Sequence, residues 1–456
     1  MSRRAYRILP TEGTTFHPRW FGTRGAVAAN SNLSVAAGVE ILQSGGNAID
    51  AAVAASFVEG LVNPQMHTIG GECPILVRPA GERRVYAVNG NMAAPAKATP
   101  EAFRARGLAD VPDRGILAAG VPAAFGALLT ALRRWGTMPL KDVVAPAIAL
   151  ARNGFPVSDG LRKQHKYGIE PMQRRFREEW PGSARLYLPG GRVPEVGERL
   201  RNEALARTFD YLARADDPLK AFYEGEVAAE IARFSKERDG LLAREDLAGF
   251  ETRIEEPVSL RLGDTELFKT GFWSQGPAEL QTLAILWQHD LAGIGFGTAD
   301  YCHLLIEAIK LAYADREQYY GDPAKTWVPG EILLSDEYTR RRAALIDMRR
   351  ANRELRPGNA RRNAALLPRD ERFIPKDWGA GTVHVDAVDA QGNLASFTPS
   401  GAWISSAEAI EPLGFPLSVR MMTFYLEPAH HPNVVAPFKR PRTTLTPSMA
   451  FRNGKP

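Results

Sequence analysis

The sequence predicts an α+β fold of packed layers. Three observations point there. Residues 33–61 read as two consecutive helices, and in the second, Ala-rich one small side chains on most faces imply burial between layers. Residues 383–398 alternate around the turn DAQGN, which is a β-hairpin pattern. The chain has 456 residues, 45% hydrophobic and 24% charged, an ordinary globular balance that allows two or three domains or one large layered one.

In chain order, GAVAA (25–29) reads as a short strand, and Asn30, Ser31 and Asn32 can cap the helix that follows. That helix, Leu33 to Ser44, stops at Gly45-Gly46, and Asn47 opens a second one from Ala48 to about Leu61. GGECPILVRPAGERRVYAVNG reads as two strands around a turn at Pro79–Gly81, and Gly70-Gly71 as a tight turn too short to cradle phosphate. Helical patterns run from about Pro122 to Asn153, interrupted at Pro139 and Pro146, and through the charged segments of 158–250. GDTELFKTGFW (263–273) is strand-like. Ala278–Trp287 and Ala299–Tyr319 read as amphipathic helices, the second with a stripe of Leu304, Leu305, Ala308, Ile309, Ala312 and Tyr313. His303 has no second ligand in phase and reads as structural. There are no internal repeats.

Composition removes several function classes. No apolar run reaches the roughly 18 residues of a membrane span. The N-terminus has a positive start without an apolar core, so the expectation is a cytoplasmic protein. Cys73 and Cys302 form neither a CxxC pair nor a metal-ligand spacing, and Cys73 reads as a small buried residue rather than a nucleophile. No dinucleotide fingerprint or P-loop appears, so no cofactor or metal is expected. Net charge is +5, with eleven arginines between residues 340 and 372. Few aromatics accompany them, which argues against nucleic acid and for a solvated, mobile connector.

After that connector comes AGTVHV. A Thr hydroxyl needs a neighbouring base to act as a nucleophile. An N-terminal Thr carries its own, because an α-amino group titrates at about 7.7–8.0. A cut between Gly381 and Thr382 would create that terminus. Ala380-Gly381 leave the scissile carbonyl sterically open, and the strand starting at Val383 would hold the new terminus rigidly. On spacing alone, however, a strand-opening structural Thr is the better reading.

Ordered blocks over nearly the whole chain resemble the γ-glutamyltranspeptidase family. They include AGVEILQSGGNAIDAAVAA (37–55), NPQMHTIGG (63–71), YEGEVAAEIA (223–232), SQGPAELQTLAILW (274–287), HLLIEAIKLAYADREQYYGDP (303–323) and TVHVDAVDAQGNLASFTPS (382–400). The resemblance implies a four-layer αββα sandwich of N-terminal-nucleophile hydrolase type. It implies autocleavage into a large segment, 1–381 with a connector at 340–381, and the start of a small one, 382–456. The two would form one domain, as a heterodimer with higher oligomers left open. It makes Thr382 the nucleophile, with Ser400 in place of a family Thr and Thr398 matching another.

Substrate-binding positions depart from the family pattern. The Arg that pairs with a glutamyl carboxylate falls on Asn91, the Asp that holds the ammonium on Thr423, and a positioning Asn on Ala402. The paired serines become Thr443 and Thr444. Charged hydrogen bonds contribute about 1.5–3 kcal/mol each, so losing both head-group charges would weaken glutamyl binding by roughly two to four powers of ten. Arg420 could be a relocated carboxylate partner or a surface arginine. The expectation is therefore an amidohydrolase or acyltransferase for another small amide, with oxamate-like anionic amides or acylated amines as candidates. The alternatives are a true γ-glutamyltransferase of glutathione metabolism and a non-catalytic relative. The family also continues past FRNGKP with an oxyanion-hole Gly-Gly turn, so the resemblance implies a fold incomplete at its C-terminus or completed by a second polypeptide.

Overall fold

The structure, a computed structural model, describes residues 21–373 and 381–456. Residues 1–20, read above for a leader, lie outside that range, as do Ala380 and the last residues of the connector before it.

Strand β1 (Gly25–Ala28) leads into helix α1 (Asn32–Gln43), where Ser31 is the cap and accepts from the Leu33 amide at 3.2 Å. Helix α2 (Ala48–Val62) starts with a capping box between Asn47 and Asp50, and all 15 of its residues are buried. The Ala-rich pattern therefore does mark a helix enclosed on every side. Strands β2 (Ile75–Arg78) and β3 (Tyr86–Asn89) follow, then helix α3 (Ala124–Trp135) and, within the charged region, helix α4 (Ile169–Glu178). Three strands occupy 253–269: β4 (Arg253–Glu255), β5 (Val258–Leu262) and β6 (Thr265–Lys269). Only the last matches the strand read at 263–273. Helices α5 (Gly276–Leu286), α6 (Ala299–Tyr319) and α7 (Asp336–Ala343) precede the hairpin β7 (Val385–Asp389) and β8 (Leu394–Phe397), and β9 (Ser448–Arg452) comes last.

The larger sheet runs β1-β7-β8-β2-β3-β4 and the smaller β9-β6-β5. Period-two alternation gives each strand of the larger sheet two faces. Ile75, Val77, Val88, Val385, Ala387 and Phe397 face the helices, α2 above all. Leu76, Val85 and Ala87 face the smaller sheet, against Met449, Phe451 and Phe268. Helix α5 packs on the far side of β5 and β6. The layers thus run helix, sheet, sheet, helix.

Asp389 ties two of these layers together. One of its oxygens accepts from the Gln391 and Asn393 amides at 3.0 and 2.9 Å, shaping the hairpin turn. The other accepts from the Ala48 amide at the start of α2, at 2.8 Å.

The stripe expected on α6 is rotated. Ile309 and Tyr313 are exposed, whereas Glu307 and Asp315 are buried with Leu304, Ala308 and Leu311. The carboxylates go inside because arginines from further along the chain meet them: Arg356 reaches Glu307 at 3.1 Å and Arg342 reaches Asp315 at 3.2 Å. The same contacts correct the reading of the basic stretch as a solvated connector. Arg342 is fully buried and Arg372 half-buried on the Leu367 and Leu355 carbonyls, whereas Arg340, Arg341 and Arg369 stay exposed in local pairs with Asp336, Glu337 and Glu354. Up to Phe373 the stretch is docked on α6.

Candidate active site

Register sets up the site. In β7–β8, Val385 pairs with Phe397 and Asp386 with Ser396. The same two-strand count puts His384 opposite Thr398 and Thr382 opposite Ser400. Val383 still donates to the Pro399 carbonyl, at 3.4 Å. One face of the hairpin therefore carries Thr382, His384 and Asp386 on one strand and Ser396, Thr398 and Ser400 on the other.

Thr382 is exposed, and its hydroxyl donates to the Pro399 carbonyl at 3.1 Å. Ser400 is fully buried and donates to the Gly381 carbonyl at 3.2 Å. That is the carbonyl of the bond a Thr382 attack would break. Thr398 contacts His384 Nδ1 at 2.9 Å, and His384 Nε2 contacts Asp386 at 2.9 Å. Sequence reasoning missed His384, although the alternation of VHVDAV already put it on the same face as Thr382.

Behind Ser400 lies NPQMHTIGGE. Ser400 and Glu72 exchange both backbone hydrogen bonds, at 2.8 and 2.9 Å. A Cβ on Gly71 would collide with the Ser400 carbonyl and one on Gly70 with the Pro416 carbonyl. The glycine pair thus serves close approach of backbone, beyond the tight turn expected of it. His67 contacts the Ser400 carbonyl through Nδ1 at 3.3 Å, and burial pushes its pKa down to about 4, so it is neutral at pH 7. Cys73 is buried, and burial pushes its thiol well up, away from nucleophilic use.

Glu72 is a fully buried carboxylate that sequence reasoning also passed over. An acid in the otherwise apolar GGECPI was the available signal. Burial raises its pKa, and Arg420 opposes the rise. Arg420 is 1% exposed, which rules out a surface arginine. Its Nη2 lies 3.5 Å from Glu72 and 3.4 Å from the Ser400 hydroxyl, and its guanidinium stacks 5.0 Å from the Trp403 ring centre. The Ser418 hydroxyl bonds the second oxygen of Glu72.

The remaining sequence-derived positions turn inward. Asn91 is buried and donates to the Pro441 carbonyl at 2.5 Å. Thr423 donates to the Arg420 carbonyl at 2.9 Å. Ala402 is buried with φ 53°, a left-handed conformation that Asn tolerates better than Ala, and its carbonyl accepts from Thr68. Thr443 is buried and paired through its backbone to Trp273, while Thr444 is half-buried. An open cleft of about 1010 Å³ is lined by Trp403, Met422, Ser405, Ser406 and charged residues of α4. Among the described residues, no group of three or more His, Cys, Asp or Glu could hold a metal ion. No helix among them is long and apolar enough to cross a membrane.

The profile of the Gamma-glutamyltranspeptidase family matches residues 34–456. The chain belongs to that family. It is 31% identical to the Glutathione hydrolase proenzyme of Escherichia coli, over 97% of this chain and 76% of the relative. It is 32% identical to the Acylase ACY 1 proenzyme of a Pseudomonas species, over 95% and 75%. Among solved structures it is similar to cephalosporin acylase from Bacillus halodurans, with a TM-score of 0.83 at 29% identity, over 97% of this chain and 78% of that one. Family membership accounts for the mixed α+β layering around this site and brings the chain among amidohydrolases and transferases. The relatives named here include both a glutathione hydrolase and acylases, so membership leaves the acyl group open.

Proposed function

We propose that this chain is the precursor of a threonine-nucleophile amidohydrolase that cuts itself between Gly381 and Thr382 and then acts on an amide whose acyl group is not γ-glutamyl. The observation that carries this reading is the Ser400 hydroxyl on the Gly381 carbonyl, with Thr382 next in the chain and opposite Ser400. Thr382 Oγ bonds to the Gly381 carbonyl carbon, and charge develops on the oxygen facing Ser400. The Gly381–Thr382 C–N bond then breaks, with the hydroxyl proton passing to the leaving nitrogen. Water hydrolyses the ester, leaving a Gly381 carboxylate and a free Thr382 amine. That amine is the base for the next nucleophilic attack, on the substrate amide. The relatives named proenzymes support a precursor here too.

The acyl preference rests on Asn91, Thr423 and Ala402, which offer no charge for a glutamyl head group. Arg420 is already answered by Glu72. The Escherichia coli relative favours a second reading, a glutathione hydrolase. Intact-mass analysis and substrate assays test both. The expected result is a break before Thr382, absent in Thr382→Ala, with turnover of acylated p-nitroanilides well above that of γ-glutamyl-p-nitroanilide. An unbroken wild-type chain would refute the precursor, and rapid γ-glutamyl turnover would establish the glutathione hydrolase.

A further inference from the structure

Arg342 and Arg420 are both buried arginines that meet a buried carboxylate, yet they differ in what they satisfy. Arg342 bonds Asp315 through Nε, the Ala365 carbonyl through Nη1 at 2.7 Å and the Leu311 carbonyl through Nη2 at 3.0 Å. Every nitrogen has an acceptor. Arg420 is different. Its Nε is buried without a hydrogen-bond partner among the described residues, and Nη2 alone serves both Glu72 and the Ser400 hydroxyl. An unmet buried Nε is shared with Arg356, which docks on Glu307; what sets Arg420 apart is that its Nη2 also reaches a hydroxyl bonded to the Gly381 carbonyl.

Direction matters at Ser400. Arg420 has only N–H donors, so Ser400 Oγ accepts from it and keeps its own proton for the Gly381 carbonyl. Guanidinium, hydroxyl and carbonyl therefore form a one-way relay ending on the oxygen that becomes negative when Thr382 attacks. The two steps, 3.4 and 3.2 Å, are a few tenths of an ångström long for such bonds. Contacts of this kind tighten as charge grows in the transition state, which stabilises that state more than the resting chain.

We propose that Arg420, held by Glu72 and Trp403, is a positioning residue for self-cleavage that acts through the Ser400 hydroxyl by making it a stronger donor to the Gly381 oxygen. The inference rests on the self-cleavage reading above. Electron pairs move as given there; Arg420 and Glu72 exchange no proton and form no bond.

The test is a double-substitution cycle on the rate of precursor cutting, followed by intact mass in freshly made full-length chain. Removing an oxyanion donor typically slows a reaction about a hundredfold or more, which is the expectation for Ser400→Ala. Arg420→Met is expected to slow cutting about tenfold, since a charge-assisted bond is roughly twice as strong as a neutral one. Arg420→Lys recovers most of that loss. In a Ser400→Ala background, Arg420→Met has less than about a twofold effect, because the route to the carbonyl is already gone. Unfolding of the same variants in a Thr382→Ala background checks that they fold. Where Arg420→Met does not fold, the cycle is run with Glu72→Gln, which withdraws the charged partner of Arg420 and keeps side-chain length. Multiplicative effects in the cycle, or cutting at the wild-type rate in Arg420→Met, would overturn the inference. A wild-type chain that stays intact refutes instead the reading it rests on.

Discussion

His67 makes the stability of this protein depend on pH in a defined direction. Its imidazole is fully buried, and burial lowers its pKa from 6.5 to about 4. Between those values the unfolded chain binds a proton that the folded chain refuses. Stability must therefore fall as pH falls through 6.5 toward 4. At pH 4.5 the loss from this one group is about 2 kcal/mol, since each tenfold difference in proton affinity between the two states corresponds to about 1.4 kcal/mol. His431 is also buried, and burial lowers its pKa too, so it adds to the same window. Glu72, whose pKa burial raises, acts in the opposite sense: its contribution is present at low pH and lost as pH rises through its folded value. The His67 part is isolated by comparison with His67→Gln, which keeps a donor for the Ser400 carbonyl and cannot titrate. Urea unfolding of the Thr382→Ala chain from pH 7.5 to 4.5 is the assay. The expected result is a wild-type loss exceeding that of His67→Gln by about 2 kcal/mol. Identical slopes for the two proteins would refute a neutral buried His67.

Two further predictions concern the frame of the site. Asp389→Ala leaves the buried Ala48 amide without its acceptor, and urea unfolding should show a loss of about 1–3 kcal/mol, more than water can recover in the turn. Arg342→Ala strands the buried Asp315 carboxylate and should cost about 3–5 kcal/mol. Limited proteolysis should then cut residues 345–373 first, where this arginine docks the stretch.

Much of the fold was legible because its signals are local. Asn47 and Asp50 announce the start of α2 within four residues, and the β7–β8 hairpin declares itself by alternation around DAQGN. The β4 and β5 strands were missed, being short and largely half-exposed. The buried face of α6 was misjudged for another reason. Apolar periodicity cannot foresee that Asp315 will meet Arg342 from a later helix, so a stripe chosen by hydropathy excluded both buried acids. The same non-local pairing hid the docking of the arginine-rich stretch. At the candidate site, resemblance pointed to Thr382 and Ser400, and local pattern could have added His384 on the same face. Glu72 and Arg420 are 348 residues apart in sequence, and only the fold makes them one device.

The strand order has a topological result for a cut at Thr382. Strands β7 and β8 belong to the downstream piece, yet they lie between β1 and β2 of the upstream piece. In the smaller sheet, downstream β9 is zipped to upstream β6. Neither piece can leave without unzipping both sheets. Severing one peptide bond would thus turn folding from a one-chain into a two-chain equilibrium while leaving every strand pairing in place. Once parted, the pieces would have to find each other by diffusion, and recovery after unfolding would become dependent on protein concentration where the uncut chain is not.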